Sequence, residues 1–287
     1  MSSQTATLTG FGAVALWSLL ALLTVATGAV PPFQLAAMAF AVGGGLGALS
    51  WLARPQAMRG LRQPAVVWAL GIGGLFGYHA LYFAALRLAP PAQAGLINYL
   101  WPLLIVLFSA APPGERLRAV HVVGALLGFM GVVVLVAGRG DLDLRAEDGL
   151  GYAFSFAAAF VWAGYSVLSH RFGSVPTDAV AGFCLAASAL SFLCHAAFET
   201  TVWPAGLVQW LALLALGLGP LGAAFYLWDI GVKRGDIRML GIASYAAPVL
   251  STLLLVLAGF AEATRALALA CVLIVAGALV ATLGRKA

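Results

Sequence analysis

The sequence predicts an all-α integral membrane protein: ten transmembrane helices, arranged as two inverted five-helix repeats around a central cavity. Three observations predict it. The 287 residues are 63% hydrophobic and only 9% charged, whereas soluble domains run at about 45–50% apolar and about 25% charged. The apolar residues gather into runs, most of them close to the roughly 20 residues a helix needs to cross a bilayer. The second half of the chain echoes the first at a nearly constant shift. Long apolar runs without strict alternation argue against a β-barrel, the other fold that satisfies its backbone in lipid.

Pro, Gly and charged residues mark off the runs in order. The first, 8–28, ends at a glycine ahead of Pro31-Pro32. The second, 33–53, stops at Arg54-Pro55. The third, 64–86, ends at Arg87, and the fourth, 92–111, opens after Pro90-Pro91 and closes before Pro112-Pro113. The fifth, 119–138, leads into a charged loop at 139–148. The sixth, 149–172, closes on Arg171, and the seventh, 177–197, follows Pro176. The eighth, 207–232, ends at Lys233-Arg234. The ninth and tenth are 236–260 and 264–284. The 34 glycines fit helices that approach closely in lipid. The first ten residues hold no basic side chain and the first run is long enough to span, so a cleaved signal peptide is not expected.

The repeat appears at a shift of about 146 residues: Gly95 falls on Gly241, Tyr99 on Tyr245, Pro102 on Pro248, Gly131 on Gly277, Arg87 on Lys233 and Arg139 on Arg285. Upstream the shift is one less, with Phe11 on Phe156 and Trp17 on Trp162. The halves are therefore 1–138 and 149–287, joined by the loop 139–148. Five helices is an odd number, so the second half is expected to enter the membrane from the opposite side. That arrangement is typical of secondary transporters, with the solute site near the midplane between the halves.

Basic residues orient the chain. Arg54, Arg59, Arg62, Arg116, Arg118, Arg171, Lys233, Arg234, Arg238, Arg285 and Lys286 fall on the side of the termini, and Arg87, Arg139, Arg145 and Arg265 on the other. The expectation is a multi-pass protein of a bacterial inner (plasma) membrane with both termini cytoplasmic. The net charge of +5 does not indicate nucleic acid, because the basic residues are scattered singly. Cys184, Cys194 and Cys271 show no paired spacing, so neither a disulfide framework nor a metal site is indicated. No phosphate-loop motif is present, and no cofactor is expected.

Polar and aromatic residues inside the runs outline the cavity, because polar groups in lipid usually face a bundle interior. On the third helix Tyr78 and Tyr82 share a face with Leu75, and His79 and Phe83 form the neighbouring stripe. The fourth offers Asn98, Tyr99 and Trp101, and the first offers Trp17. The sixth carries Ser155, Ala159, Trp162, Ser166 and Ser169 at steps of three and four. Tyr226, Asp229 and Lys233 stack on the eighth, and Ser244 or Tyr245 with Pro248 on the ninth. Such a lining suits a solute with an apolar side chain and a small polar head. His79 has two readings: a proton carrier, since an unperturbed histidine titrates near 6.5, or a neutral ring bonded to a backbone carbonyl or a ligand. Asp229 also has two: an ion pair with Lys233, four residues on, or a cation-binding or gating group. Pro102 and Pro248, at matched positions, are expected to kink their helices for function. Trp51, Trp68, Trp203, Trp210 and His195 are expected at the membrane interfaces.

The repeat, the segments Asn98-Tyr-Leu-Trp-Pro102 and Ser244-Tyr-Ala-Ala-Pro248, and Pro113-Gly114-Glu115-Arg116-Leu117 after the fourth helix resemble the drug/metabolite transporter superfamily, in its EamA-type ten-helix branch. Within that branch the chain looks most like YddG-type bacterial exporters of aromatic and other amino acids. Gly259-Phe-Ala-Glu262 is a degraded second copy of the Pro-Gly-Glu motif. The resemblance implies export of neutral, apolar or aromatic amino acids and related metabolites by alternating access. The route would be a cavity lined mainly by the third, fourth, eighth and ninth helices, with help from the first and sixth. The partners expected are a small-molecule solute and the lipid bilayer, with no nucleic acid, and the chain is expected as a monomer. The alternatives are a drug or nucleotide-sugar-like metabolite carrier of the same superfamily and, less favoured, an intramembrane enzyme. A phosphorylated solute would want buried cations in the cavity. A serine protease would need an adjacent Ser–His dyad, for which the repeat gives no reason; no catalytic residue is assigned.

Overall fold

The computed structural model describes residues 1–110, 118–138, 140, 143–259 and 261–283. Every regular element among them is helical, and ten helices are long and apolar enough to cross a membrane. They are α1 (Ser3–Ala26), α2 (Pro32–Ala53), α3 (Ala65–Leu88), α4 (Pro91–Phe108), α5 (Ala119–Ala137), α6 (Ala146–Arg171), α7 (Ala179–Phe198), α8 (Leu207–Arg234), α9 (Ile237–Leu257) and α10 (Arg265–Leu283). Each matches one apolar run of the sequence. The first helix starts five residues before its run, at Ser3, because the Ser2 side chain caps it by accepting the Thr5 amide. The motif at 113–117, Arg139, Phe260, Arg285 and Lys286 lie outside the described residues.

Five of the helices are interrupted. The α1 helix breaks at Leu19, α4 at Tyr99–Leu100 and α9 at Ser244–Tyr245. In α3 and α8 the interruption is a π-helical turn, at Gly73–Gly77 and Gly219–Ala223. The two π turns stand at the 146-residue shift of the sequence repeat, and the breaks in α4 and α9 stand within one residue of it. Pro102 and Pro248 each sit in the first turn of the segment that restarts after the break. A proline there forfeits no intrahelical bond, since the first amides of a helix have no acceptor within it.

The packing also matches between halves. The α1 helix lies against α8 and α9, as α6 lies against α3 and α4, while α2 pairs with α7 and α5 with α10. Glycines let the pairs close up. A Cβ on Gly124 of α5 would stand 2.6 Å from the Gly277 carbonyl of α10, and one on Gly231 of α8 would stand 2.8 Å from the Gly10 Cα of α1. Such backbone-to-backbone approach is how helices gain contact in lipid, where burial from water no longer drives association. The outward faces carry exposed Leu49, Leu52, Leu207 and Leu257, suited to acyl chains.

Polar contacts tie the two ends of the bundle. At the end holding Ser3, Arg54 pairs with Asp178 at 3.1 Å, the Thr7 hydroxyl accepts the Asp236 amide, and Arg238 donates to Ser109. At the other end Glu199, only 2% exposed, collects four groups. Its carboxylate accepts the Phe33 and Gln34 amides of the α2 N-terminus, pairs with Arg87 and meets His195 Nδ1, each at 3.1 Å. A carboxylate is the natural cap for that positive helix end. His195, near the end of its helix, is packed into this cluster, with its Nε2 against the Thr201 hydroxyl.

Candidate functional site

A cavity opens among the interrupted helices. It is lined by Trp17 and Leu20 of α1, Tyr78, His79 and Tyr82 of α3, Asn98, Tyr99 and Trp101 of α4, Trp162 of α6, Pro220, Leu221 and Phe225 of α8, and Ala247 of α9. Local structure explains why these residues meet. The π turn of α3 ends where Tyr78 begins a new helical segment, so Tyr78, His79 and Tyr82 project together past it. The break in α4 falls between Asn98 and Trp101 and brings both to the same space.

The walls are aromatic. The Trp17 ring stands edge-on to Trp101 at 6.2 Å and to Trp162 at 5.6 Å, and lies 5.0 Å from Trp228. Trp162 stacks on Trp228 at 6.1 Å, and Tyr78 on Tyr82 at 6.1 Å. Edge-to-face and offset contacts at these separations are favourable and hold large rings without filling the centre. Two indoles are anchored: Trp17 Nε1 donates to the Pro220 carbonyl and Trp228 Nε1 to the Ser166 hydroxyl, both at 3.1 Å.

Three polar groups reach the cavity from this wall. The Asn98 amide nitrogen donates to the Tyr78 hydroxyl at 2.9 Å, which fixes the amide and leaves its oxygen, buried, without a partner among the described residues. His79 Nδ1 donates to the Leu75 carbonyl at 2.6 Å. The ring is thereby held by its own helix, with Nε2 left for anything in the cavity. The Tyr82 hydroxyl lies near Gly95 of α4. The lining has no charged side chain.

Eight of the residues singled out in the sequence converge here: Trp17, Tyr78, His79, Tyr82, Asn98, Tyr99, Trp101 and Trp162. Five others sit elsewhere. Ser155 donates to the Ala94 carbonyl, Ser166 accepts Trp228, and Ser244 donates to the Leu240 carbonyl of its own helix. Tyr226 turns away to donate to the Gly43 carbonyl at 3.1 Å, and Tyr245, fully buried, accepts the Leu103 amide. Phe225, Leu221, Pro220, Leu20 and Ala247 line the cavity without having been singled out, because nothing in an apolar residue distinguishes a cavity wall from a lipid-facing one. Asp229 and Lys233 form their ion pair at 2.7 Å, in a separate small pocket. No cluster of potential metal ligands occurs among the described residues.

The EamA-like transporter family matches residues 4–137 and 149–283. The chain is 62% identical, over 99% of each sequence, to a protein of Ancylobacter novellus named aromatic amino acid exporter YddG. It is 28% identical, over 88% of each, to the protein of the same name from Salmonella typhimurium. A solved crystal structure at 62% identity superposes with a TM-score of 0.95 over 98% of both chains.

Proposed function

The chain belongs to the EamA-like transporter family, and from that premise we propose that it exports neutral, apolar and aromatic amino acids through the cavity by alternating access. The observation that carries the reading is the cavity's make-up: indole and phenol walls around one buried, unpartnered amide oxygen on Asn98. The rings take an apolar side chain. The Asn98 oxygen takes the α-ammonium, and His79 Nε2 offers a second contact to the head group. Such partners are needed because an uncompensated charge is costly to desolvate. An uncharged lining suits a solute with no net charge better than a phosphorylated one. The relatives named as aromatic amino acid exporters support the same solute class.

Trp17, Tyr78, His79, Tyr82, Asn98, Tyr99, Trp101 and Trp162 are the proposed solute contacts. Ser155, Ser166, Tyr226, Ser244 and Tyr245 hold the walls from behind. The two halves, 1–138 and 149–287, insert in opposite senses, and their matched interruptions, just ahead of Pro102 and Pro248, let paired half-helices swing. The protein sits as a monomer in a bacterial inner membrane with both termini cytoplasmic, a reading supported by the basic bias at that end. It moves its solute without chemical turnover.

The test is counterflow in liposomes reconstituted with the purified protein, across a panel of labelled amino acids, nucleotide sugars and lipophilic drugs. Protein-dependent flux of tryptophan, phenylalanine and aliphatic neutral amino acids, with the solute recovered intact, is the expected result. Flux of nucleotide sugars or drugs alone would overturn the reading.

A further inference from the structure

Three helices continue the cavity's lining toward the end of the bundle that holds Ser3. On α8, Leu221 and Phe225 line the cavity, and Asp229 and Lys233, at the same four-residue step, line a second pocket. On α6, Trp162 lines the cavity, and Tyr165 and Ser169, with Phe172 just past the helix end, line the pocket. On α3, Tyr78 and His79 are followed by Gly71, Leu70 and Val67. The same three helices thus line both spaces, and Asp229 lies about one helical turn, or roughly 5 Å, from Phe225 toward the Ser3 end.

The pair is costly where it stands. Its side chains are 5% and 2% exposed, and two buried ions in apolar surroundings are often no more stable than apolar replacements. An i,i+4 pair adds little to a helix that is already apolar and packed. What it does instead is reach across. Thr177 donates to the Asp229 carboxylate at 2.7 Å, and Lys233 Nζ donates to the Val175 carbonyl at 3.0 Å. Both partners belong to the segment between α6 and α7. The two ions thus tie down the segment that covers this pocket, at the end of the bundle from which an exported solute enters the cavity.

We propose that Asp229 and Lys233 form a second, transient seat for the head group of a zwitterionic amino acid. The solute's ammonium replaces Lys233 on the Asp229 carboxylate, and its carboxylate takes up the Lys233 ammonium. Every charge stays paired through the exchange, while Thr177 and the Val175 carbonyl are released and the covering segment moves aside. The pocket is too small for an amino acid at rest, so the seat forms only as that segment yields. A solute with one charge leaves one ion of the pair uncompensated and is not admitted to the cavity. The proposal rests on the amino-acid reading above and adds to it the step that selects zwitterions.

The test uses reconstituted full-length protein and labelled L-tryptophan, indole-3-lactate (no ammonium) and tryptamine (no carboxylate), with flux into protein-free liposomes subtracted. In the unaltered protein, tryptophan flux should exceed that of either analogue by at least about tenfold, while both analogues still compete with tryptophan for binding. The double variant Asp229→Asn with Lys233→Gln removes both charges and leaves neither unpaired. It should keep tryptophan binding within about twofold, lose about tenfold or more in tryptophan flux, and bring the flux ratios close to one. Analogue flux equal to that of tryptophan in the unaltered protein would overturn the proposal, even if the double variant does not fold. So would a double variant that keeps the original ratios, whether its flux is unchanged or raised for every solute; the export reading would then stand without the seat. No protein-dependent tryptophan flux in the unaltered protein would instead remove the export reading itself.

Discussion

The Tyr245 hydroxyl accepts the backbone amide of Leu103 at 3.1 Å, across from α9 to α4. Leu103 is the third residue after α4 restarts, so its amide has no acceptor within that segment. A side chain at the break in α9 thus caps the helix beyond the matching break in α4. Changing Tyr245 to Phe keeps the ring and removes the cap, leaving a buried amide unsatisfied. The expected loss is about 1–3 kcal/mol, read as a lower midpoint in thermal unfolding of the detergent-purified protein. An unchanged midpoint would show that another group takes the amide.

Trp101 is the cavity wall most exposed to a test of solute size. It is nearly buried and touches Trp17, Trp162 and Trp228. Changing it to Ala removes apolar contact worth on the order of 2–3 kcal/mol if a solute uses it fully. Transport of tryptophan and phenylalanine should fall more than that of alanine and threonine, measured as uptake at matched protein density. An equal fall for all four would place Trp101 in the scaffold.

Glu199 and Arg87 share one salt bridge but should differ in consequence. Arg87 is 49% exposed and Glu199 2%. Glu199→Gln takes charge from the α2 amides, from Arg87 and from His195 together, at a cost of about 3–5 kcal/mol. Arg87→Gln removes a half-exposed partner and should cost under about 1 kcal/mol. Thermal unfolding of the two variants side by side checks the order, and equal losses would contradict it.

Gly124 and Gly277 hold α5 against α10 with backbone nearly touching backbone. Gly277→Leu must push the pair apart, and overpacking of this kind costs about 1–3 kcal/mol. Reduced yield of monodisperse protein is expected, whereas Gly73→Ala, which meets open space, should be tolerated in that assay.

Opposed insertion of the halves is tested at their matched turns. Ala92, after α3, and Arg234, at the end of α8, are both exposed. A cysteine introduced at Ala92 should react with an impermeant thiol reagent from the periplasmic side. One introduced at Arg234 should react only after the membrane is opened. Labelling of both from one side would refute the arrangement.

The sequence by itself determined the number of crossings, their approximate ends and the stripes of Trp17, Tyr78, Asn98 and Trp162. Lipid offers no partner for a backbone amide, so an apolar run of bilayer length has to be a helix, and polar groups within it have to turn inward. Which of two neighbouring residues faces the cavity was decided only by the tertiary structure. Polarity favours Tyr226, yet Phe225 lines the space and Tyr226 bonds to α2. The π turn at Gly219–Ala223 holds an extra residue and rotates the face that follows it, which a regular helical period read along the chain does not include. The matched tyrosines divide for a similar reason: Tyr99 lines the cavity while Tyr245 is buried as a cap. Their local sequences are alike, and what separates them is the helix each one meets across the bundle.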